Sequence, residues 1–401
     1  MSPTRVGVIG AGVAGPVIAM LLKQQGYDPV VYERLDALSD AGLGLGLQPN
    51  GMAVLARIPG LIEHIDGHRV DEFHFYSVLP EDHGLLGVSD HPRRLRAIKG
   101  IGAVSVQRPL LHRRLVEFAR KLDVPVHFGH KLEALEQDDE SVTVSFANGV
   151  KETFSFVVGC DGIHSNTRGC LFGETPADYT GLSQWGGLSP TPEFWKGKHA
   201  PADIYGNGAH MIVVPMSESL MIWAVSVREP ESKEEWRSTD AAVSADFKAN
   251  SPFARWGFGA GELVRNSLRI VRYGIYDRPE LPTWHKGRVV LVGDAAHPTS
   301  PHLGMGANQS YEDVGLLADL LAAHNPGGAP PATATLEEVF AELERVRLPR
   351  TAELVRQARA QGDTRVVSGV EACIARNNYY RDVCNDPAKL RARFGIVDLE
   401  K

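Results

Sequence analysis

The 401-residue sequence predicts an α/β fold in three parts: a three-layer domain on a parallel sheet, an inserted and mostly antiparallel β-sheet domain, and C-terminal helices. Three observations carry this. Residues 5–33 read strand, helix, strand around a glycine-rich turn. Apolar runs at 156–160 and 287–293 have the unbroken hydrophobicity of strands buried on both faces. Between them, residues 176–284 change to short alternating runs set between Gly-, Pro- and Ser-rich turns.

Each element follows from its residues. Residues 5–10 form a buried strand, 13–25 a helix ending near Gly26, and 28–33 the next strand. Parallel strands require such a crossover helix, so the unit is βαβ. Asn50 is suited to cap a helix through Arg57. Leu111, Leu115, Phe118 and Leu122 recur at helical spacing within 109–122. Alternating runs at 131–136 and 141–146 lead to Asn148-Gly149, a hairpin turn into 151–158. The inserted part holds strands at 182–188, 210–216, 220–228 and 267–273. A helix over 306–324 follows the last buried strand, and Asn325 to Ala334 is a linker. Residues 335–376 are helical, with a kink expected at Pro349. The first domain is therefore discontinuous, over residues 1–75, 100–175 and 285–330. The second takes 76–99 and 176–284, and 335–401 is a C-terminal helical segment.

Composition narrows the function classes. A net charge of -7 gives no overall attraction to nucleic acid or anionic lipid. No apolar run reaches the roughly 20 residues of a membrane span. The apolar stretch from Val6 to Leu22 carries four glycines and a proline, unlike a signal peptide. Cys160, Cys170, Cys373 and Cys384 form no CxxC pair, which fits a reduced, cytoplasmic location. Cys160 reads as a core residue. His64/His68 and His127/His130 have helical spacing, but Gly67 and Gly129 oppose a helix and no third ligand is evident, so no metal is expected. Arg93, Arg94, Arg96 and Lys99 read as a solvated loop.

Three motifs carry chemistry. In Gly10-Ala11-Gly12-Val13-Ala14-Gly15, the first glycine permits the tight strand-to-helix turn, the second lets backbone approach a pyrophosphate, and the third lets helix and strand pack closely. Free N–H groups at the helix N-terminus face the phosphates. Glu33 can accept from a ribose, favouring FAD or NAD over NADP. The second motif is Cys160-Asp161-Gly162, with Ser165 and Arg168 in the short helix that follows. The third is Gly293-Asp294, then Pro301-His302-Leu303-Gly304-Met305-Gly306-Ala307-Asn308. Asp294 ends a parallel strand, where open α/β sheets bind ligands, and can accept from a sugar-alcohol hydroxyl. The helix after Gly306 offers a positive end to charge on a ring system.

In this order the three motifs resemble those of the single-component FAD-dependent aromatic hydroxylases, the para-hydroxybenzoate hydroxylase-like flavoprotein monooxygenases, over roughly residues 5–360. The first domain is then an FAD-binding Rossmann-like domain and the second a substrate domain. The resemblance implies that Gly10, Gly12, Ala14, Gly15, Glu33 and Arg34 hold the ADP half of FAD. It implies that Asp161, Gly162 and Arg168 serve FAD and the incoming NADH or NADPH, and that Asp294 holds the ribitol. Arg108, Gly46 and Gln48 then lie beside the flavin, as do Pro301, Gly304, Gly306, Ala307 and Asn308. No second GxGxxG is present, as suits a transiently bound reductant. The implied reaction is hydroxylation of an aromatic or heteroaromatic small molecule by NAD(P)H and O2 through a flavin C4a-hydroperoxide, by a monomer or homodimer. Two alternatives remain on the same scaffold. One is oxidation or epoxidation of a larger hydrophobic secondary metabolite. The other is flavin-dependent dehydrogenation or reduction without oxygen insertion.

The substrate half matches less fully. Residues 205–216 resemble a strand of salicylate and 6-hydroxynicotinate hydroxylases that carries a His followed four residues later by Tyr; here the pair reads His210 and Val214. His302 matches a His beside the flavin in some of these relatives. His210 is the candidate general base, since imidazole titrates near neutral pH, and His302 its substrate-facing companion. Trp185, Tyr205, Val214 and Trp223 are the expected substrate contacts. Trp185-Gly186-Gly187 replaces a Trp-Arg-Gly of many relatives, which weakens the case for an anionic benzoate-like substrate.

Overall fold

The computed structural model describes residues 3–232 and 239–395. A six-stranded sheet has the order His285–Lys286, Val289–Leu291, Phe156–Gly159, Arg5–Ile9, Asp28–Tyr32, Val126–His127. All its pairs are parallel except the edge pair of His285–Lys286 with Val289–Leu291. Ile9 pairs with both Tyr32 and Gly159, and Gly159 with Leu291. That register brings the ends of four strands into one row, so the loops at Gly10, Glu33, Asp161 and Asp294 lie side by side.

One face of this sheet is covered by helices Ala14–Gln24, Arg108–Lys121 and Gly306–His324, whose Val17, Leu115 and Leu317 enter the core fully buried. The other face carries the antiparallel strands Leu132–Gln137, Val142–Phe146 and Lys151–Phe154, packed through Tyr32, Phe146 and Phe154. These are the three layers.

The second sheet has seven strands, in the order Arg269–Asp277, Asp178–Pro190, Leu220–Arg228, Ala209–Pro215, Ala202–Tyr205, Phe73–Ser77, Gly84–Ser89. A single parallel pair, Ala202–Tyr205 with Phe73–Ser77, joins the two stretches that build it. Helices Ala241–Asn250 and Ala260–Arg265 cover one face, over Met211, Val213, Trp223 and Val225. A small sheet of Gly44–Leu47, Val104–Gln107 and His68–Arg69 faces the other side.

Several local expectations change. Asn50 is not a cap: Gln48 precedes the helix Pro49–Leu55, and Asn50 is buried inside it, donating to Glu312 at 2.6 Å. Pro starts helices well because its missing N–H has no partner there anyway. The basic run forms a helix, His91–Lys99, not a loop. Arg96 leaves solvent to pair with Asp71 and the Val70 and Ala103 carbonyls, which anchors the turn. Residues 335–376 are not one kinked helix. Thr333–Arg365 runs through Pro349, where buried Arg347 and Ala352 hold the flanking turns, and a break at 366–369 precedes Val370–Asn385.

Candidate active site

The glycines of the first motif divide by role. A Cβ on Gly10 (φ 104°) would lie 2.5 Å from the Cys160 carbonyl oxygen, and one on Gly15 would lie 1.9 Å from that of Gly10. A Cβ on Gly12 would meet nothing within 4 Å. Gly10 and Gly15 therefore serve the fold, while Gly12 faces open space. Glu33 is buried at the next strand end, accepting from Ala11 N at 2.9 Å and Leu35 N at 3.1 Å. Ala14 is buried in the first helical turn and Arg34 is exposed beyond Glu33. One neighbour was not singled out from sequence. His112 lies within electrostatic reach of the Ala11 backbone, Glu33 and Arg108, its Nε2 is buried without a hydrogen-bond partner, and burial pushes its pKa down. Only its place one helical turn after Arg108 pointed toward the site.

Asp161 and Arg168 act as supports. Asp161 accepts from Ser165 Oγ at 2.5 Å and from Thr167 N and Oγ1, both at 2.9 Å. Ser165 caps the helix Asn166–Phe172 by accepting from Arg168 N. The buried Arg168 guanidinium donates to the Ile163 and Ala295 carbonyls, at 2.7 and 2.8 Å, tying the second motif's loop to the third's. Burial, then the nearby Arg278, lowers its pKa to about 10, so it stays charged. Gly162 (φ 79°) has no atom within 4 Å of an added Cβ.

The third motif is braced from below. Gly293 N donates to Asp313 Oδ2 at 2.8 Å, and His297 Nε2 meets the same oxygen at 2.5 Å. Arg347 Nε donates to Asp313 Oδ1 at 2.7 Å. Burial raises the Asp313 pKa, but His297 and Arg347 outweigh it and hold the carboxyl at about 2. Asp313 and Arg347 join His297 of the third motif from distant segments, and no local pattern marked these two. Asp294 differs: no described donor hydrogen-bonds its carboxylate. Burial raises its pKa, against the pull of His297 and Arg108.

Asn308 joins the Gly46–Gln48 segment to the Gly304 loop. Fully buried, it donates to the Gly46 and Gly304 carbonyls, both at 3.0 Å, and accepts from Gln48 N at 2.8 Å. Its role is to fix the loops around the site. Pro301 opens a short 3-10 turn, and Gly306 and Ala307 open the helix after it. Gly304 (φ 64°) has open space above it, and the nearest atom to a Cβ on Gly46 is Gln48 Nε2 at 3.7 Å. Arg108 is exposed, its side chain against Gly42, its charge felt by Asp294 and Tyr273. Open glycines at Gly12, Gly162 and Gly304, with an unpartnered Asp294 among them, fit a ligand with a diphosphate at one end and polyol hydroxyls further along. FAD has that form.

The antiparallel sheet turns one face to these loops. A Cβ on Gly44 would meet Met216 and Ile222, one on Gly186 would meet Leu43, and Arg269 donates to the Asp40 carbonyl at 2.6 Å. Strand alternation puts His210, Ile212 and Val214 on this face, opposite Met211 and Val213. Ile212 and Val214 are partly exposed there. His210 Nε2 pairs with Asp203 Oδ1 at 2.8 Å, and Arg365 donates to both Asp203 oxygens, at 3.0 and 3.2 Å. All three are buried. Nδ1 of His210 and both ring nitrogens of His302 are buried without a partner. His302, Arg365, His210 and Asp203 are within electrostatic reach of one another. The near-neutral titration expected for His210 is not found. Burial, then Arg365, lowers it to about 4 despite Asp203, which leaves the ring a neutral acceptor and a weak base.

Two expected substrate contacts lie on the wrong face. Trp185 stacks on Phe247 at 4.4 Å, and Trp223 is fully buried, donating to Ser267 Oγ at 2.9 Å. Both pack under the covering helices, because their positions in the alternation have the opposite parity to His210. Tyr205 is on the site face but wholly covered, stacked against Tyr380 at 4.7 Å with its hydroxyl on Asp203.

A parallel sheet with an ADP-type glycine turn, a strand-end carboxylate without a described hydrogen-bond donor and a second sheet over both fit an FAD-dependent oxidoreductase. The chain belongs to the FAD binding domain family, which it matches over residues 3–357, and within it to the single-component aromatic hydroxylases. Among its relatives is the 3-amino-4-hydroxybenzoate 2-monooxygenase PtnB3 of Streptomyces platensis. It is 31% identical over 369 residues, covering 89% of this chain and 87% of that protein. The 6-hydroxynicotinate 3-monooxygenase of Pseudomonas fluorescens is 30% identical, covering 80% of this chain and 84% of that protein. Among solved structures, HpxO of Klebsiella pneumoniae, complexed with FAD and uric acid, superposes with a TM-score of 0.82. Its identity is 25%, covering 98% of this chain and 96% of that one. The protein is thus a flavoprotein monooxygenase that uses FAD, and no described helix is long and apolar enough to cross a membrane.

Proposed function

We propose that the enzyme hydroxylates a small aromatic or heteroaromatic ring that already bears a hydroxyl group, with NADH or NADPH as transient reductant. The observation that carries this is the His210 imidazole, buried on the sheet face toward the flavin loops. Asp203 accepts from its Nε2 and leaves Nδ1 as a free acceptor. A hydroxyl donor is what such a nitrogen lacks, since a buried polar atom without a partner is costly. His210 Nδ1 accepts the ring hydroxyl's hydrogen bond, His302 meets a second polar substituent, and Ile212 and Val214 flank the ring. His210 then orients the substrate and draws electron density toward the hydroxyl more than it removes the proton outright. Apolar neighbours keep water from the reacting centre. Bound FAD supplies the redox and oxygen chemistry. The names of the relatives support the substrate class, with 3-amino-4-hydroxybenzoate and 6-hydroxynicotinate both hydroxylated rings.

In this reading Asp294, Glu33 and Gly12 contact FAD directly, and Asp161, Arg168 and Asn308 shape its loops. The FAD domain comprises residues 1–75, 100–175 and 285–330, except that Phe73–Ser77 pairs into the substrate sheet. The enzyme works in the cytoplasm as a monomer or homodimer. Incubation of the purified enzyme with NAD(P)H, 18O2 and a panel of amino- and hydroxybenzoates, hydroxypyridines and purines tests the proposal. The expected result is one labelled oxygen in a hydroxylated product. Oxidised product without label would overturn it in favour of dehydrogenation.

A further inference from the structure

We propose that His68, His199 and Glu218 form a divalent transition-metal site that clamps the small glycine-loop sheet to the antiparallel sheet. The three come from distant segments. His68 begins the edge strand His68–Arg69, His199 lies just before the strand Ala202–Tyr205, and Glu218 sits in the turn after Ala209–Pro215. His68 Nε2 lies 3.2 Å from His199 Nδ1, and Glu218 Oε1 lies 4.0 Å from the same nitrogen. One ligand atom from each residue falls within a 4.8 Å span. No other group of three His, Cys, Asp or Glu among the described residues does this.

The spacing matches a tetrahedral zinc-like site. With metal–nitrogen bonds of about 2.0–2.1 Å, two ligands at a tetrahedral angle stand roughly 3.3–3.4 Å apart. The two imidazoles are already near that separation. The carboxylate edge is longer, but Glu218 has a side chain 73% exposed and swings in freely. Both histidines are held by their backbones. His68 pairs with Ser105 across the small sheet, and the His199 carbonyl accepts from Asp71 N at 2.8 Å. Two imidazoles and one carboxylate suit Zn2+ and its neighbours, not Mg2+ or Ca2+, and leave a fourth position for water. Because the ligands span both sheets, binding favours the assembled arrangement over any in which they separate.

The test titrates the FAD-loaded enzyme with Zn2+ against a chromogenic chelator, with Mg2+ as control, and follows flavin content and thermal melting in the same samples. One equivalent of Zn2+ is expected, with a rise in melting midpoint that Mg2+ does not give. Both effects are lost in His68→Ala/His199→Ala, and uptake is weaker in Glu218→Gln, at unchanged flavin content. Zn2+ uptake equal in the double variant and the parent, or none by flavin-replete parent enzyme, overturns the site. If the double variant folds poorly, undiminished uptake by soluble, flavin-replete Glu218→Gln does the same. Uptake that needs both histidines but leaves the melt unmoved overturns the clamp.

Discussion

His210 shows how one side chain ties stability to pH. Burial and the Arg365 charge oppose protonation, Asp203 favours it, and the balance leaves the ring at about 4 against an ordinary 6.5. As pH falls below 6.5 the unfolded chain binds a proton that the folded chain refuses until about 4. The folded pKa is depressed, so for this basic group stability is complete above 6.5 and drains away as pH falls toward 4. Between pH 7 and pH 5 the loss comes to about 2 kcal/mol. Urea unfolding of the parent should show a fall of that order. In His210→Asn, whose amide still donates to Asp203, the fall should be smaller by about the same amount. Equal slopes in the two proteins would mean the ring does not titrate in this window. The same substitution separates the site roles, because it should slow hydroxylation while leaving flavin content alone.

At the scale of the element, the strand–turn–helix at residues 5–24 contains both a folding signal and a binding signal, and they fall on different glycines. Gly10→Ala places a Cβ 2.5 Å from backbone at a left-handed φ, so the apoprotein itself should melt lower. Gly12→Ala meets nothing in the chain, so the apoprotein should melt where the parent does and yet hold FAD poorly. Calorimetry of both apoproteins, with flavin-to-protein absorbance ratios after reconstitution, checks the contrast. A Gly12→Ala protein that retains flavin like the parent would refute the pyrophosphate approach at that residue. This element was legible because its information is local: glycine spacing, apolar period and an acid at the next strand end. The helix Gly306–His324 was equally so. Asp313 and Arg347 show what was not. Their side chains meet across 34 residues of sequence, and only the assembled loops make their roles visible. Trp185 and Trp223 failed for a narrower reason. In a strand the face depends on parity, and one residue's difference in counting sends an aromatic ring to the opposite core.

For the whole molecule, the flavin loops are an assembly problem. Four strand ends, the Gly46–Gln48 segment and the helix after Gly306 meet at one place, and the chain supplies internal braces for all of them except at Asp294. That carboxylate is partly buried, desolvation raises its pKa, and no described donor hydrogen-bonds it. It is a local cost in the empty protein that a bound polyol removes. Two consequences follow for the Asp294→Ala variant. Its apoprotein should melt at or above the parent apoprotein, since a poorly solvated carboxylate has gone. Its flavin should bind more weakly by roughly 10- to 100-fold, the size of a hydrogen bond to a charged group worth about 1.5–3 kcal/mol. The parent holoprotein, by contrast, should melt above its apoprotein, because a ligand at 1,000 times its Kd stabilises by about 4 kcal/mol. The gap between apo and holo melting should therefore narrow in Asp294→Ala, with a fall on the holo side and none on the apo side. Calorimetry of both proteins, with and without FAD after gel filtration, measures all four midpoints. A variant apoprotein that melts well below the parent's would show that Asp294 holds up the fold. A variant that keeps its yellow colour through dialysis as the parent does would remove Asp294 from the cofactor site.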